Sequence, residues 1–216
     1  MFTGLHRAAP LALLLAAIQG PGAAPAAAGQ PMVESPGRAA AASLDRIGDP
    51  HTQALAAALR SGDWSRRAAA PPERATFHQP AAIEPLRLAM SDPDPRVRRI
   101  AIWGLSEMRP VPGNLSNPVA RLLEDPDPSV RGQAASALGD FGSRAYTARI
   151  SALLQDPSPQ VRIQAAHALG DLQDPASRPA LQAALSTSDP EVRAELGWAL
   201  RRVAEAQRIL RRYGRR

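Results

Sequence analysis

One short phrase occurs four times in this chain: Asp94-Pro95-Arg96-Val97-Arg98, Asp127-Pro128-Ser129-Val130-Arg131, Ser158-Pro159-Gln160-Val161-Arg162 and Asp189-Pro190-Glu191-Val192-Arg193. Successive valines lie 33, 31 and 31 residues apart. A fixed period of this length marks stacked units, each burying its apolar face only against its neighbours. The repeat therefore predicts a solenoid of about four units and excludes a globule wrapped around one core.

The residues around the phrase predict that every unit is a helix-turn-helix. A first helix carries apolar residues at helical spacing: Ile83, Leu86, Leu88 and Met90, then Val119, Leu122 and Leu123, then Ile150, Leu153 and Leu154, then Leu181, Ala184 and Leu185. The proline of the phrase ends that helix, because it disfavours helix in the residue before it. The Asp or Ser before proline suits an N-cap, and proline suits the first helical position. Counted from the valine, position +4 holds Ala101, Ala134, Ala165 and Leu196, and position +7 holds Gly104, Ala137, Ala168 and Ala199. Position +8 holds Leu105, Leu138, Leu169 and Leu200. These positions form one stripe on the second helix. Its small residues predict close helix approach. Gly139 and Gly170 follow two of the leucines and are expected to end their helices in a left-handed conformation.

The Asp-Pro-x-Val-Arg phrase and the runs Ala134-Ala135-Ser136-Ala137-Leu138-Gly139 and Ala165-Ala166-His167-Ala168-Leu169-Gly170 resemble HEAT repeats. They are most similar to the short HEAT-like type found in phycobilin lyases and many bacterial proteins. The resemblance covers about residues 81 to 205 and implies an all-α solenoid of armadillo-like helical type. HEAT arrays host many roles, so the resemblance does not choose a function.

The N-terminus has a different character. Met1 to Arg7 carries a short positive start, Ala8 to Ile18 is apolar, and Ala23 to Gly29 is rich in small residues. This describes a cleavable signal peptide, residues 1–28, cut after Ala26 or Ala28, and so an exported protein, periplasmic or secreted. Residues 29–48 are expected to be a flexible Ala/Pro/Gly-rich linker. Residues 49–80 hold a helix starting at Asp49-Pro50 and ending near Ser61-Gly62, either a degenerate repeat or an N-terminal cap, followed by a loop. The repeat domain with its arginine-rich last helix then fills 81–216.

Composition removes several function classes. The chain contains no cysteine, which excludes disulfides, thiolate metal sites and thiol catalysis. All 26 basic residues are arginine, so a Walker loop with its lysine is impossible. Seven of these arginines and one acid, Glu205, lie between Arg201 and Arg216. The net charge of +6 thus resides in the tail, and a nucleic-acid partner is not expected. Asp92/Asp94 and Asp125/Asp127 do not form calcium loops, because Trp103 and Ser136 stand where an EF-hand needs glutamate. The histidines, His6, His51, His78 and His167, form no His-Glu pair. The iron-dependent deoxyhypusine hydroxylases, which are built from HEAT repeats, need such pairs, so that activity is not expected. No catalytic residue, metal or cofactor is assigned.

Three sets of residues remain. Arg98, Arg131, Arg162 and Arg193, with Asp94, Asp127 and Asp189, are expected to be a structural ladder of turn contacts and caps, since the guanidinium fork suits bonding within and between turns. On the second helices of HEAT-like arrays, which line the concave surface, position +6 reads Trp103, Ser136, His167 and Trp198 while the core stripe stays constant. Trp103, His167 and Trp198, with Arg99, Gln133 and Gln164, are the candidate partner groove, because exposed aromatics are common binding anchors. In the last helix Ala206, Ile209, Leu210 and Tyr213 share one side. Arg201, Arg208, Arg211, Arg212, Arg215 and Arg216 form a tail that either caps the array or associates weakly with an anionic membrane surface. The expected role is a non-catalytic scaffold for a protein partner whose identity the sequence does not state. The alternatives are an enzyme or enzyme accessory related to phycobilin lyases, and a lipid-headgroup binder acting through the tail.

Overall fold

Proline sets where each second helix begins. In the computed structural model these helices are α2 (Pro50–Ser61), α4 (Pro95–Ser106), α6 (Pro128–Asp140), α8 (Pro159–Leu172) and α10 (Pro190–Tyr213). Each follows a shorter partner: α1 (Pro36–Asp45), α3 (Ile83–Ala89), α5 (Ser116–Arg121), α7 (Thr147–Ala152) and α9 (Arg178–Ala184). The structure describes residues 34–48, 50–61, 80–108 and 115–213, without the side chains of His51 and Tyr213, and all belong to one unit, Glu34–Arg216. The expected signal peptide, the loop after Gly62, Arg215 and Arg216 lie outside the described residues. Among the described residues every regular element is helical. The second helices form a continuous layer, α2 on α4, α4 on α6, α6 on α8 and α8 on α10.

The core follows the stripe. Val97, Val130, Val161 and Val192 are buried, as are Ala101, Ala134, Ala165 and Leu196. Leu105, Leu138 and Leu169 are fully enclosed, and each such burial stabilises by roughly 1.5–3 kcal/mol. From the first helices Leu86, Val119, Ile150 and Leu181 enter the same core, whereas Leu88 is left on the surface.

Residues 36–45 correct the linker expectation, because they form helix α1. Its buried face is Gly37, Ala40, Ala41 and Leu44, an i, i+3, i+4, i+7 stripe written mostly in small residues. Ser35 caps its N-terminus and Pro36 occupies the first turn. Arg60 Nη1 reaches Asp45 Oδ2 at 2.5 Å and ties α2 to α1. In α2, Thr52 stands at the valine position and is fully buried, with Ala56 and Leu59 at +4 and +7 also enclosed. The α1–α2 pair is therefore a degenerate repeat preceding the four regular ones.

The glycines also differ from expectation. Helix α6 runs past Gly139 to Asp140, and α8 runs past Gly170 to Leu172. Their left-handed residues come later, at Gly142 (φ 65°) and Gln173 (φ 49°). Gly139 serves close packing: a Cβ there would stand 2.9 Å from the Ala168 Cα of the neighbouring helix.

The turn arginines connect successive units. Arg98 Nη1 donates to the carbonyls of Asp92 and Pro93 in its own turn, while Nε and Nη2 reach Asp125 Oδ2 and Oδ1 of the next at 2.8 and 2.6 Å. Arg131 repeats this on Asp125 and Pro126 and on Asp156, at 2.8 and 2.9 Å. The inter-unit acceptors of these two steps are thus the first aspartates of their turns, Asp125 and Asp156. Asp92, Asp125 and Asp156 are buried, and each also accepts the backbone N–H two residues on. Asp94 and Asp127 are N-caps, accepting from Arg96 N and Ser129 N. At the array's start no arginine is available, and Gly37 N–H of α1 donates to Asp92 Oδ2 at 2.7 Å instead.

Burial alone raises the Asp156 carboxyl, but hydrogen bonds from Arg131 and Ser158 N–H, with the charges of Arg131 and Arg162, hold it below the ordinary 3.8. The unfolded chain binds this proton more readily. The stabilisation is therefore complete above the unfolded value and is lost as pH falls through the folded one. Asp156→Asn should cost about 2–3 kcal/mol at neutral pH by leaving Arg131 without its partner. It should also flatten the decline of stability below about pH 4, as read by urea titration across pH.

Candidate functional site

Because the core stripe and the ladder fix the orientation of every second helix, positions +2, +3, +6 and +10 of successive helices face the same way. In these rows the units differ. Ile100, at +3 of α4, is buried in the core and leaves the surface. Arg99 and Trp103 of α4 are half-buried, and Trp103 packs against the core. Gln133 of α6 is half-buried beside Gly132. Gly132 matters for its lack of a side chain, since a Cβ there would collide with the Gln164 amide of α8. Gln164 thus lies directly on the α6 backbone.

The six candidate groove residues do not form one cluster. His167 and Trp198, on adjacent helices α8 and α10, stack with ring centroids 4.6 Å apart and planes 5° from parallel. Trp103 lies on α4, separated from α8 and its His167 by α6 in the layer. Trp198 is seated on Gly170, where a Cβ would run into the indole ring. The Arg202 guanidinium sits 5.6 Å from the indole centroid, within cation–π range.

Two carboxylates complete the cluster. His167 Nδ1 is hydrogen-bonded to Glu195 Oε1 at 2.7 Å, and Nε2 lies 3.4 Å from Asp171 Oδ2. Asp171 Oδ1 is also 3.9 Å from Arg202. Sequence reasoning missed Asp171 and Arg202. Both occupy +10 from their valines, one helical turn beyond the +6 row, and this i, i+4 relation is the signal that finds them. The result is a flat aromatic layer flanked by both signs of charge, with His167 and Arg202 exposed. It offers apolar area together with fixed donors and acceptors, the surface an extended polypeptide can use.

Helix α10 continues past its last fully enclosed residue, Val203. On the extension Arg208, Arg211 and Arg212 are exposed, and so are Ile209 (53%) and Leu210 (56%). Ile209 and Leu210, on the apolar side of this segment, therefore stand in solvent. Arg201 is exposed at the base of this segment, and Arg178 of α9 braces it through Gln207 at 3.3 Å.

An array of paired helices with this ladder defines an α-solenoid. The family model for HEAT repeats matches residues 52–116 and 115–201, and the chain belongs to that family. The match includes α2, in accord with the degenerate first repeat. Among solved structures, the chain is similar to an engineered protein determined by the Northeast Structural Genomics Consortium, with a TM-score of 0.51 and 18% identity over 79% of this chain and 88% of that one. That likeness concerns the fold alone. No curated protein matches.

Gly170→Ala tests the seat of Trp198. Alanine in a helix interior normally gains up to about 1 kcal/mol over glycine. Here the added Cβ should displace the indole from His167, change the near-ultraviolet circular dichroism and cost about 1–2 kcal/mol in urea. A more stable variant with an unchanged spectrum would contradict the described packing.

Proposed function

We propose that this chain is a non-catalytic HEAT-repeat scaffold that binds a protein partner along its second-helix face, in the periplasm or outside the cell. The observation that carries this reading is the contrast between two faces. Turn and core positions repeat from unit to unit, whereas the +2, +3, +6 and +10 rows vary along the array and culminate in the His167–Trp198–Arg202 cluster. Variation on a rigidly repeated frame suits recognition of one extended partner. The apolar, alanine-rich beginning of the chain supports export.

The reading is tested with a photo-crosslinker at Gln133 in the protein's own cells. One protein should be recovered, from the extracytoplasmic fraction. His167→Ala combined with Arg202→Ala changes exposed side chains, so it should alter stability by less than about 1 kcal/mol while abolishing that crosslink. A crosslink that survives the double substitution contradicts the assignment.

The exposed α10 extension favours a second reading, attraction to an anionic lipid surface. Arginines would meet headgroups while Ile209 and Leu210 enter the interface. Vesicles of phosphatidylglycerol and phosphatidylcholine should then pellet the protein at low salt and release it at high salt. Ile209→Ser with Leu210→Ser should weaken the association. Equal pelleting with pure phosphatidylcholine would eliminate this reading.

A further inference from the structure

The ladder is incomplete at one step. The buried aspartate of each turn recurs as Asp92, Asp125 and Asp156, but the fourth turn carries Thr187 at the equivalent place. Thr187 Oγ1 retains one function of that aspartate by accepting Asp189 N–H, at 3.3 Å. It does not supply the second function, because a hydroxyl cannot engage an arginine fork as a carboxylate does.

Arg162 shows the consequence. Its Nη1 donates to the carbonyls of Asp156 and Pro157, as Arg98 and Arg131 do in their own turns. Where those arginines bind a carboxylate through Nε and Nη2, Arg162 has only Asp189 Oδ2 at 3.7 Å from Nη2, beyond hydrogen-bond range. Among the described residues its Nε has no hydrogen-bond partner. Asp189 Oδ1 caps α10 through Glu191 N and Val192 N, which leaves Oδ2 as a distant ion-pair partner of Nη2 and gives Nε no carboxylate. Asp156, the other carboxylate nearby, is engaged by Arg131. The guanidinium thus lines a cavity of about 220 Å³ together with Gln155, Ser186, Thr187 and the Arg131-paired Asp156, and with the apolar Leu154, Ala184 and Val192.

We propose that this cavity is a binding site for a carboxylate. The two complete steps specify the ligand: a planar carboxylate accepting from Nε and Nη2 at 2.6–2.9 Å, as Asp125 and Asp156 do. A carboxylate matches the fork in both charge and plane. It comes either from a small organic acid or from an acidic side chain of a bound polypeptide. The site lies at the helix turns and is independent of the second-helix face.

The test is a titration of the full-length protein with acetate, following the arginine Nε–H resonances by NMR, with chloride at equal ionic strength as control. Acetate should move the Arg162 signal saturably and leave those of Arg98 and Arg131 in place. Thr187→Asp should supply the missing carboxylate from within. It should raise the melting temperature and weaken acetate binding by about tenfold or more. N-acetylglutamate amide identifies the source. Binding tighter than acetate, with no binding by the glutamine analogue, points to a polypeptide side chain, and binding no tighter than acetate points to a small acid. A non-saturable response, an equal response to chloride, or unchanged acetate binding in Thr187→Asp would overturn the proposal.

Discussion

The interaction on which the structure depends is the fork from the arginine of one turn to the buried aspartate of the next. A stack of short helix pairs has little to set its register, since α3, α5, α7 and α9 are only six or seven residues long. Apolar packing draws these pairs together, but it is non-directional. The Arg98–Asp125 and Arg131–Asp156 steps add direction, because a planar guanidinium accepts a carboxylate in few orientations. The same aspartates also take the backbone N–H that shapes each turn. Turn shape and unit stacking are thus one network, and the burial of both partners makes breaking it costly.

With the frame specified in this way, the second-helix surface is free to vary. Glycine and alanine are used where helices approach, so that larger groups can lie across the layer, Gln164 over Gly132 and Trp198 over Gly170. The positions that distinguish one unit from another are therefore the ones positioned most firmly by what the units share. The exception within the ladder is Thr187, which keeps the turn and gives up the inter-unit bond. It converts a structural arginine into one with an unfilled fork.

Much of the fold was legible because its periodicities are carried by distinctive residues. Proline marks the turns, and Val, Ala and Leu mark the buried stripe. Helix α1 was not legible, because its stripe is written in Gly37, Ala40 and Ala41, which resemble linker composition. Two aspartates precede each helix in the first units, and nothing local distinguishes the cap Asp94 or Asp127 from the ladder acceptor Asp92 or Asp125. Only the register between units does so. Gly139 and Gly170 suggested helix ends because glycine serves both termination and close approach, and the neighbour that decides between them is 28 or 29 residues away in sequence. At the surface cluster, position +6 was visible as aromatic variation. Asp171 and Arg202 join it through spatial neighbours that sequence order does not reveal.

The central claim is that directional arginine–aspartate steps run through the array and open at Arg162. Hydrogen exchange at the arginine Nε–H groups, measured in ligand-free protein at neutral pH, tests it most directly. Arg98 and Arg131 should exchange slowly, and Arg162 clearly faster. Equal exchange at all three, or the greatest protection at Arg162, would contradict the account.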